Sequence, residues 1–137
     1  MEKWGDKPYH SLDYENKKRF GEKVYKISLA GGTTCPNRDG TLGTRGCCFC
    51  SGSGSGDFAA TKGSITEQIE EAIARVSRYK NAGHHFTAYF QSFTATYAPV
   101  ETLRAAWEEA MTHETACNCN ETGLFRRRCS LAVSRLL

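Results

Sequence analysis

The chain has 137 residues, 39% of them hydrophobic and 24% charged, which is enough for one small core and too little for two comfortable domains. Its formal net charge of +3 comes from the end of the chain. Residues 1–116 hold 14 Lys+Arg and 14 Asp+Glu, and the excess is Arg126, Arg127, Arg128 and Arg135 against Glu121, which argues against a basic nucleic-acid-binding face on the body.

Residues 1–21 read as a lead-in, with W-G-D-K-P-Y followed by one short charged helix over Asp13–Phe20. Charges run through this stretch without an apolar core, so neither a signal peptide nor a membrane span is expected. An odd count of seven cysteines without a secretory leader fits a reducing, cytoplasmic setting. There, close-set cysteines more often hold metal or do redox chemistry than form disulfides.

Val24–Leu29 alternates apolar and polar residues of β-favouring type and stops at Gly31-Gly32, which predicts a strand. From its C-terminal end leaves the stretch C-P-N-R-D-G-T-L-G-T-R-G-C-C-F-C, residues 35–50. Cys35, Cys47 and Cys50 stand in it as C-x11-C-x2-C, and Cys48 is a spare. Ser51–Gly56 reads S-G-S-G-S-G, either a flexible hinge or a run whose main-chain N–H groups approach a ligand.

Ser64-Ile65-Thr66-Glu67 is a capping-box pattern. It opens a helix with Ile65, Ile69, Ile73, Val76 and Tyr79 on one face, ended by Asn81-Ala82-Gly83. His85–Phe93 is aromatic and predicts a second buried strand, with Phe86, Tyr89, Phe90 and Phe93 as core. Pro99 starts another helix, packing through Val100, Leu103, Trp107, Ala110 and Met111. The order β-loop-α-β-α predicts an α/β fold with parallel strands joined by right-handed crossovers. In such units ligands gather at the C-terminal ends of the strands, which puts the cysteine loop and residues 91–96 on one face.

Thiolates suit zinc or iron–sulfur clusters. A closed zinc site takes four ligands, usually as two knuckles, and this loop has one C-x2-C pair and one lone cysteine. Three thiolates on a four-iron cluster would leave one iron free to bind a substrate or cofactor. His84 and His85 would be the candidates to complete a zinc site, although adjacent histidines at a strand entrance are more often simply half-exposed.

The run K-I-S-L-A-G-G-T-T-C-P-N-R-D-G-T-L-G-T-R-G-C-C-F-C-S-G, with W-G-D-K-P-Y before it and A-Y-F-Q-S-F-T-A-T-Y-A-P-V-E-T-L-R after it, resembles the N-terminal part of a radical S-adenosylmethionine (SAM) family. The members it resembles are bacterial proteins related to the elongator-type radical SAM enzymes, and the likeness covers nearly all of residues 3–113. The resemblance implies a partial (βα)6 barrel, of which about two βα units are present here. It also implies a 4Fe-4S cluster held by Cys35, Cys47 and Cys50, with SAM on the fourth iron and reductive cleavage to a 5′-deoxyadenosyl radical. Phe49 would lie near the adenine, and Gln91 with Thr94 would face the methionyl part of SAM, the bland reading of Gln91 being a satisfied buried amide. An electron donor such as flavodoxin or ferredoxin is the implied partner. The kinship makes RNA conceivable as substrate, and the neutral body lends that no support. The C-x11-C spacing departs from the commonest C-x3-C-x2-C pattern but agrees with this subfamily.

Residues 22–113 are thus expected to be a truncated radical SAM core. From residue 114 the character changes to polar residues, Cys117 and Cys119, and an arginine triplet, where a third strand is due. The bases encoding Ala116–Leu124, read one position later, permit Leu-Ala-Ile-Ala-Thr-Arg-Pro-Asp and then Cys. The expectation is a reading frame lost near residues 114–116, residues 114–137 forming an out-of-frame tail. Such a chain would leave its second strand without a neighbour, and would be marginally stable and inactive alone. A different class of function, a small zinc-binding module whose Arg-rich tail binds nucleic acid, is the alternative.

Overall fold

The computed structural model describes residues 4–60 and 63–113 and the backbone of residues 116–118. The elements run α1 (Leu12–Phe20), β1 (Tyr25–Leu29), α2 (Ile65–Tyr79), β2 (Phe86–Phe90), α3 (Val100–Thr112) and β3 (Ala116–Asn118). The fold is α/β, with a three-stranded sheet in the order β1-β2-β3. β1 and β2 are parallel over their full lengths, from Tyr25 opposite Phe86 to Leu29 opposite Phe90.

Alternation along the two long strands decides where the core sits. Ile27, Leu29, Phe86, Ala88 and Phe90 turn to one face and are buried, together with Ile65, Ile69 and Ala72 of α2 and Ala110 of α3. Tyr89 alternates out of that set and is half-buried. The Lys26 ammonium lies 4.2 Å from the centroid of its ring.

The helix ends follow their sequence signals closely. Ser64 and Glu67 form the full capping box of α2: the Ser64 hydroxyl accepts from the Glu67 N–H, and the Glu67 carboxylate accepts from the Ser64 N–H. The Thr66 N–H, one of the donors a helix start leaves over, reaches Glu109 of α3 at 2.8 Å. α2 ends at Tyr79, earlier than Asn81-Ala82-Gly83, and Tyr79 is 78% exposed, past the last residue that meets the sheet. In α3, Leu103 and Ala110 are buried, whereas Val100 in the first turn is exposed.

Two edges differ from expectation. β3 is a three-residue strand parallel to β2, with Ala116 opposite Phe86 and Asn118 opposite Ala88, so β2 has a short neighbour where none was expected. The second strand, Phe86–Phe90, is also shorter than His85–Phe93, and the turn that follows it brings the backbone left-handed at Phe93, φ 58°. The reading of residues 114–137 as an out-of-frame or nucleic-acid-binding tail lies, apart from the backbone of residues 116–118, outside the described residues, as do the side chains of Cys117 and Cys119. No helix among the described residues is long and apolar enough to cross a membrane.

Candidate functional site

β1 ends at Leu29, and the next 35 positions up to α2 include the cysteine loop. Tight turns fold its first half: Arg38 N–H and Asp39 N–H donate to the Cys35 carbonyl at 2.8 and 3.1 Å, and Leu42 N–H donates to the Pro36 carbonyl at 2.8 Å. Gly46 N–H then returns to the Asn37 carbonyl at 2.8 Å, which brings Cys47 back beside the start of the loop. The Asn37 amide donates to Cys47 Sγ at 3.4 Å, an early-loop side chain on a late-loop thiol. A cavity of about 460 Å³ opens here, between Asn37, Arg45 and Cys47.

The turn after β2 meets this loop directly. Gln91 N–H extends the sheet ladder to the Leu29 carbonyl at 3.0 Å, and Thr94 N–H donates to the Thr34 carbonyl at 3.2 Å, one residue before Cys35. The Thr41 and Tyr97 hydroxyls are 3.0 Å apart. Gln91 and Thr94 are both half-buried. The predicted convergence of residues 91–96 with the cysteine loop at the C-terminal ends of β1 and β2 is therefore present in the structure.

The three thiols themselves are free and half-buried, and Cys48 is exposed. Cys50 Sγ is 3.4 Å from the Ser55 hydroxyl. That hydrogen bond first, and Arg38 after it, favours the thiolate and holds the Cys50 pKa below its ordinary value near 9.0, against the opposing effect of desolvation. The thiolate is the form that binds metal. Among the described residues no three His, Cys, Asp or Glu side chains are grouped closely enough to hold a metal ion. The donor chemistry thus fits a soft metal or cluster, while the thiols are not drawn together into a ligand set. Phe49 is 85% exposed. His85 is committed elsewhere: its Nδ1 is 2.6 Å from Glu22, remote from the thiols in the chain's organisation, at the N-terminal end of β2.

Ser51–Gly56 is neither a hinge nor a row of free N–H donors. Gly54 and Gly56 N–H groups donate to the Ser51 and Ser53 carbonyls at 3.0 Å each, and Ser55 N–H donates to the Ser51 hydroxyl at 3.1 Å. Gly54 is left-handed at φ 63°, and a Cβ there would collide with the Phe93 ring. Its carbonyl accepts from Phe93 N–H at 2.8 Å. The small residues are present so that this turn can press against the end of β2.

Three residues that matter to the site are absent from the sequence-based expectations. Arg38 sits inside the loop and ties its halves together. Gln68, buried on the α2 face between Ile65 and Ile69, accepts from Ala30 N–H at 2.9 Å and so anchors the exit of β1. Ala60 pairs with the outer side of β1, its N–H donating to the Ser28 carbonyl at 3.1 Å. Gln68 was discoverable from its helical spacing with Ile65, Ile69 and Ala72; the other two were not.

Several proteins are similar to this chain. Uncharacterized protein YtqA of Bacillus subtilis (strain 168) is 44% identical over 112 residues, which cover 77% of this chain and 33% of that protein. Protein YhcC of Escherichia coli (strain K12) is 43% identical over 94 residues, 69% of this chain and 29% of that protein. Uncharacterized protein MJ0486 of Methanocaldococcus jannaschii is 31% identical over 101 residues, 72% of this chain and 30% of that protein. The chain thus spans about a third of the length of the curated relatives it matches. No family model and no solved structure matches it.

Proposed function

We propose that this chain is the N-terminal portion of a radical SAM enzyme, its two βα units being the start of a partial (βα)6 barrel. The observation that carries the reading is the joining of the C-x11-C-x2-C loop to the Gln91–Thr94 turn at the C-terminal ends of two parallel strands. That is where an α/β sheet binds its ligands.

Cys35, Cys47 and Cys50 would hold a 4Fe-4S cluster, and Gln91, Thr94 and Phe49 would contact SAM. When bound, the cluster supplies the electron that cleaves SAM to methionine and a 5′-deoxyadenosyl radical, chemistry that belongs to the cofactors. The chain's own contribution is to present three soft donors, one of them already biased toward thiolate, on a loop fixed to the sheet. Phe49, exposed in the free loop, supplies an aromatic face free to stack on a base. The half-buried amide of Gln91 offers both donor and acceptor to an amino acid moiety. The electron would come from a flavodoxin- or ferredoxin-type donor. Substrate contacts would come from the later strands of such a barrel.

The test is anaerobic reconstitution of the chain with iron and sulfide. A brown, oxygen-sensitive protein is expected, with a paramagnetic signal after reduction that shifts on adding SAM. Replacing any one of Cys35, Cys47 and Cys50 by Ser should abolish the colour, and Cys48→Ser should leave it. A colourless protein that takes up zinc in place of iron would overturn the reading.

A further inference from the structure

We infer that Arg38 is the positioning residue of the cysteine loop: its guanidinium locks the arm that carries Cys47 and Cys50 to the arm that carries Cys35 and to the turn after β2. The part of this inference that concerns a cluster rests on the function proposed above. The locking of the loop does not.

Four contacts converge on this one side chain. Nη2 donates to the Ser51 carbonyl at 2.5 Å and to the Cys50 carbonyl at 3.4 Å, and Nη1 donates to the Gly52 carbonyl at 3.4 Å. Three successive carbonyls, beginning at the last cysteine, therefore face one planar fork. The guanidinium carbon lies 5.9 Å from the centroid of the Phe93 ring, within reach of a cation–π attraction. Phe93 stands between Gln91 and Thr94, so the same group touches both halves of the candidate site.

These four contacts are reached through a cradle. Gly46, left-handed at φ 73°, leaves the space through which the guanidinium passes: a Cβ there would come within 2.8 Å of its Cζ, Nε and Nη2 atoms. The left-handed backbone keeps the residue before Cys47 a glycine, and the guanidinium occupies the space that glycine leaves. Backbone turns hold the Cys47 end of the second arm but not its Cys50 end. Gly46 N–H, next to Cys47, returns to the Asn37 carbonyl, Arg38 N–H binds within the first arm, and Cys50 N–H binds within the second, to the Cys47 carbonyl. The Asn37 amide on Cys47 Sγ is the other side-chain tie between arms, and a neutral one.

Charge alone does not account for this geometry. Three carbonyls in an arc match five N–H donors fixed in a plane, whereas a lysine ammonium is a point with three donors on a flexible stem. Arg38→Lys keeps the charge and discards the fork, which makes it the informative variant beside Arg38→Ala.

The experiment compares wild type, Arg38→Lys and Arg38→Ala as the full 137-residue chain. Backbone hydrogen exchange is read first, without metal. In both variants the amides of Gly54, Ser55, Gly56 and Phe93 should exchange about tenfold faster or more, the change expected on losing a hydrogen bond to a charged group, while amides inside α2 and β1 keep the wild-type rate. Iron and sulfide per chain, and the line shape of the reduced paramagnetic signal, are read second, after anaerobic reconstitution. Both variants should retain less iron and give an altered line shape, and lysine should not rescue either. Wild-type exchange in Arg38→Ala, or full rescue by Arg38→Lys, would overturn the inference, as would faster exchange spread evenly over α2 and β1. If wild type itself takes up no cluster, the function proposed above fails and the exchange comparison alone decides the role of Arg38.

Discussion

Leu29 and Cys35 are six positions apart in the chain, yet different forces hold the chain on either side of Ala30. The sheet-and-helix body, whose first strand ends just before it, is fixed by burial: Ile27, Leu29 and Ile69 are enclosed almost completely, and parallel pairing follows from the crossover through α2. After it, Leu42 and Phe49 point their apolar groups into solvent, and shape comes from turns, glycines and the Arg38 fork. A body of this kind tolerates polar change at its surface and fails when its core is hollowed. A loop of this kind behaves the other way round. It forgives the loss of apolar area and fails on the loss of one fork or one glycine.

The sharpest way to break that contrast is a matched pair of truncations. Ile69 is fully enclosed between the sheet and α2. Ile69→Ala should lower the unfolding free energy by about 2–5 kcal/mol, from lost transfer energy plus a cavity, a large share of what so small a body has. Phe49→Ala removes a larger side chain from an exposed position and should cost no more than about 0.5 kcal/mol. Urea unfolding of both variants checks this. Equal losses would mean that the loop is packed like the body.

A smaller effect is expected at Gly54. A side chain there meets the Phe93 ring and forces a non-glycine residue into the left-handed region. Gly54→Ala should therefore destabilise by about 2 kcal/mol, combining strain and overpacking. A free hinge would respond with the opposite sign, since alanine restricts the unfolded chain and stabilises by about 0.4–1 kcal/mol. The sign of the change in urea midpoint thus distinguishes a packed turn from a linker.

The same division explains what could be read from the amino-acid order. Burial leaves periodic marks: the Ile65, Ile69, Ile73, Val76 spacing, the alternation through Val24–Leu29 and the Ser64/Glu67 box each announce a local geometry, and each is found, the strand starting at Tyr25. Their ends are less legible. Tyr79 continues the helical stripe, but no sheet is left for it to meet, and Val100 begins the stripe of α3 before that helix reaches the core. In the loop, the cysteine spacing marks the ligand candidates without showing what shapes them. Nothing in N-R-D-G indicates that Arg38 reaches carbonyls 12 to 14 positions away. S-G-S-G-S-G has a linker's composition, and only Phe93, brought in from beyond β2, turns its glycines into packing positions. Contacts between side chain and backbone across long separations have no period, and so leave no pattern to read.

Glu22 offers the mildest test, because it places the loop's kind of force inside the body. Its Oε1 accepts from His84 N–H at 2.7 Å, His85 N–H at 2.9 Å and His85 Nδ1 at 2.6 Å, closing the chain between α1 and β1 onto the entrance of β2. Gly83 leaves room for that carboxylate, since a Cβ there would run into it. The hydrogen bond with the His85 ring, followed by the two backbone N–H groups, holds the Glu22 pKa below its ordinary 4.5. A carboxylate whose pKa is lower folded than unfolded contributes stability that is complete above the unfolded value and disappears as pH falls through the folded one. Glu22→Gln keeps an acceptor oxygen but no charge. Wild type should unfold at a higher urea concentration than Glu22→Gln at pH 7, and the two midpoints should converge as pH falls through and below about 4.5. Comparing the two proteins at each pH cancels groups that titrate alike in both. A gap that persisted unchanged at acid pH would show that Glu22 acts through shape, as Ile69 does. A gap that closes would show that a single charged acceptor, as at Arg38 a single charged donor, can join segments that burial leaves apart.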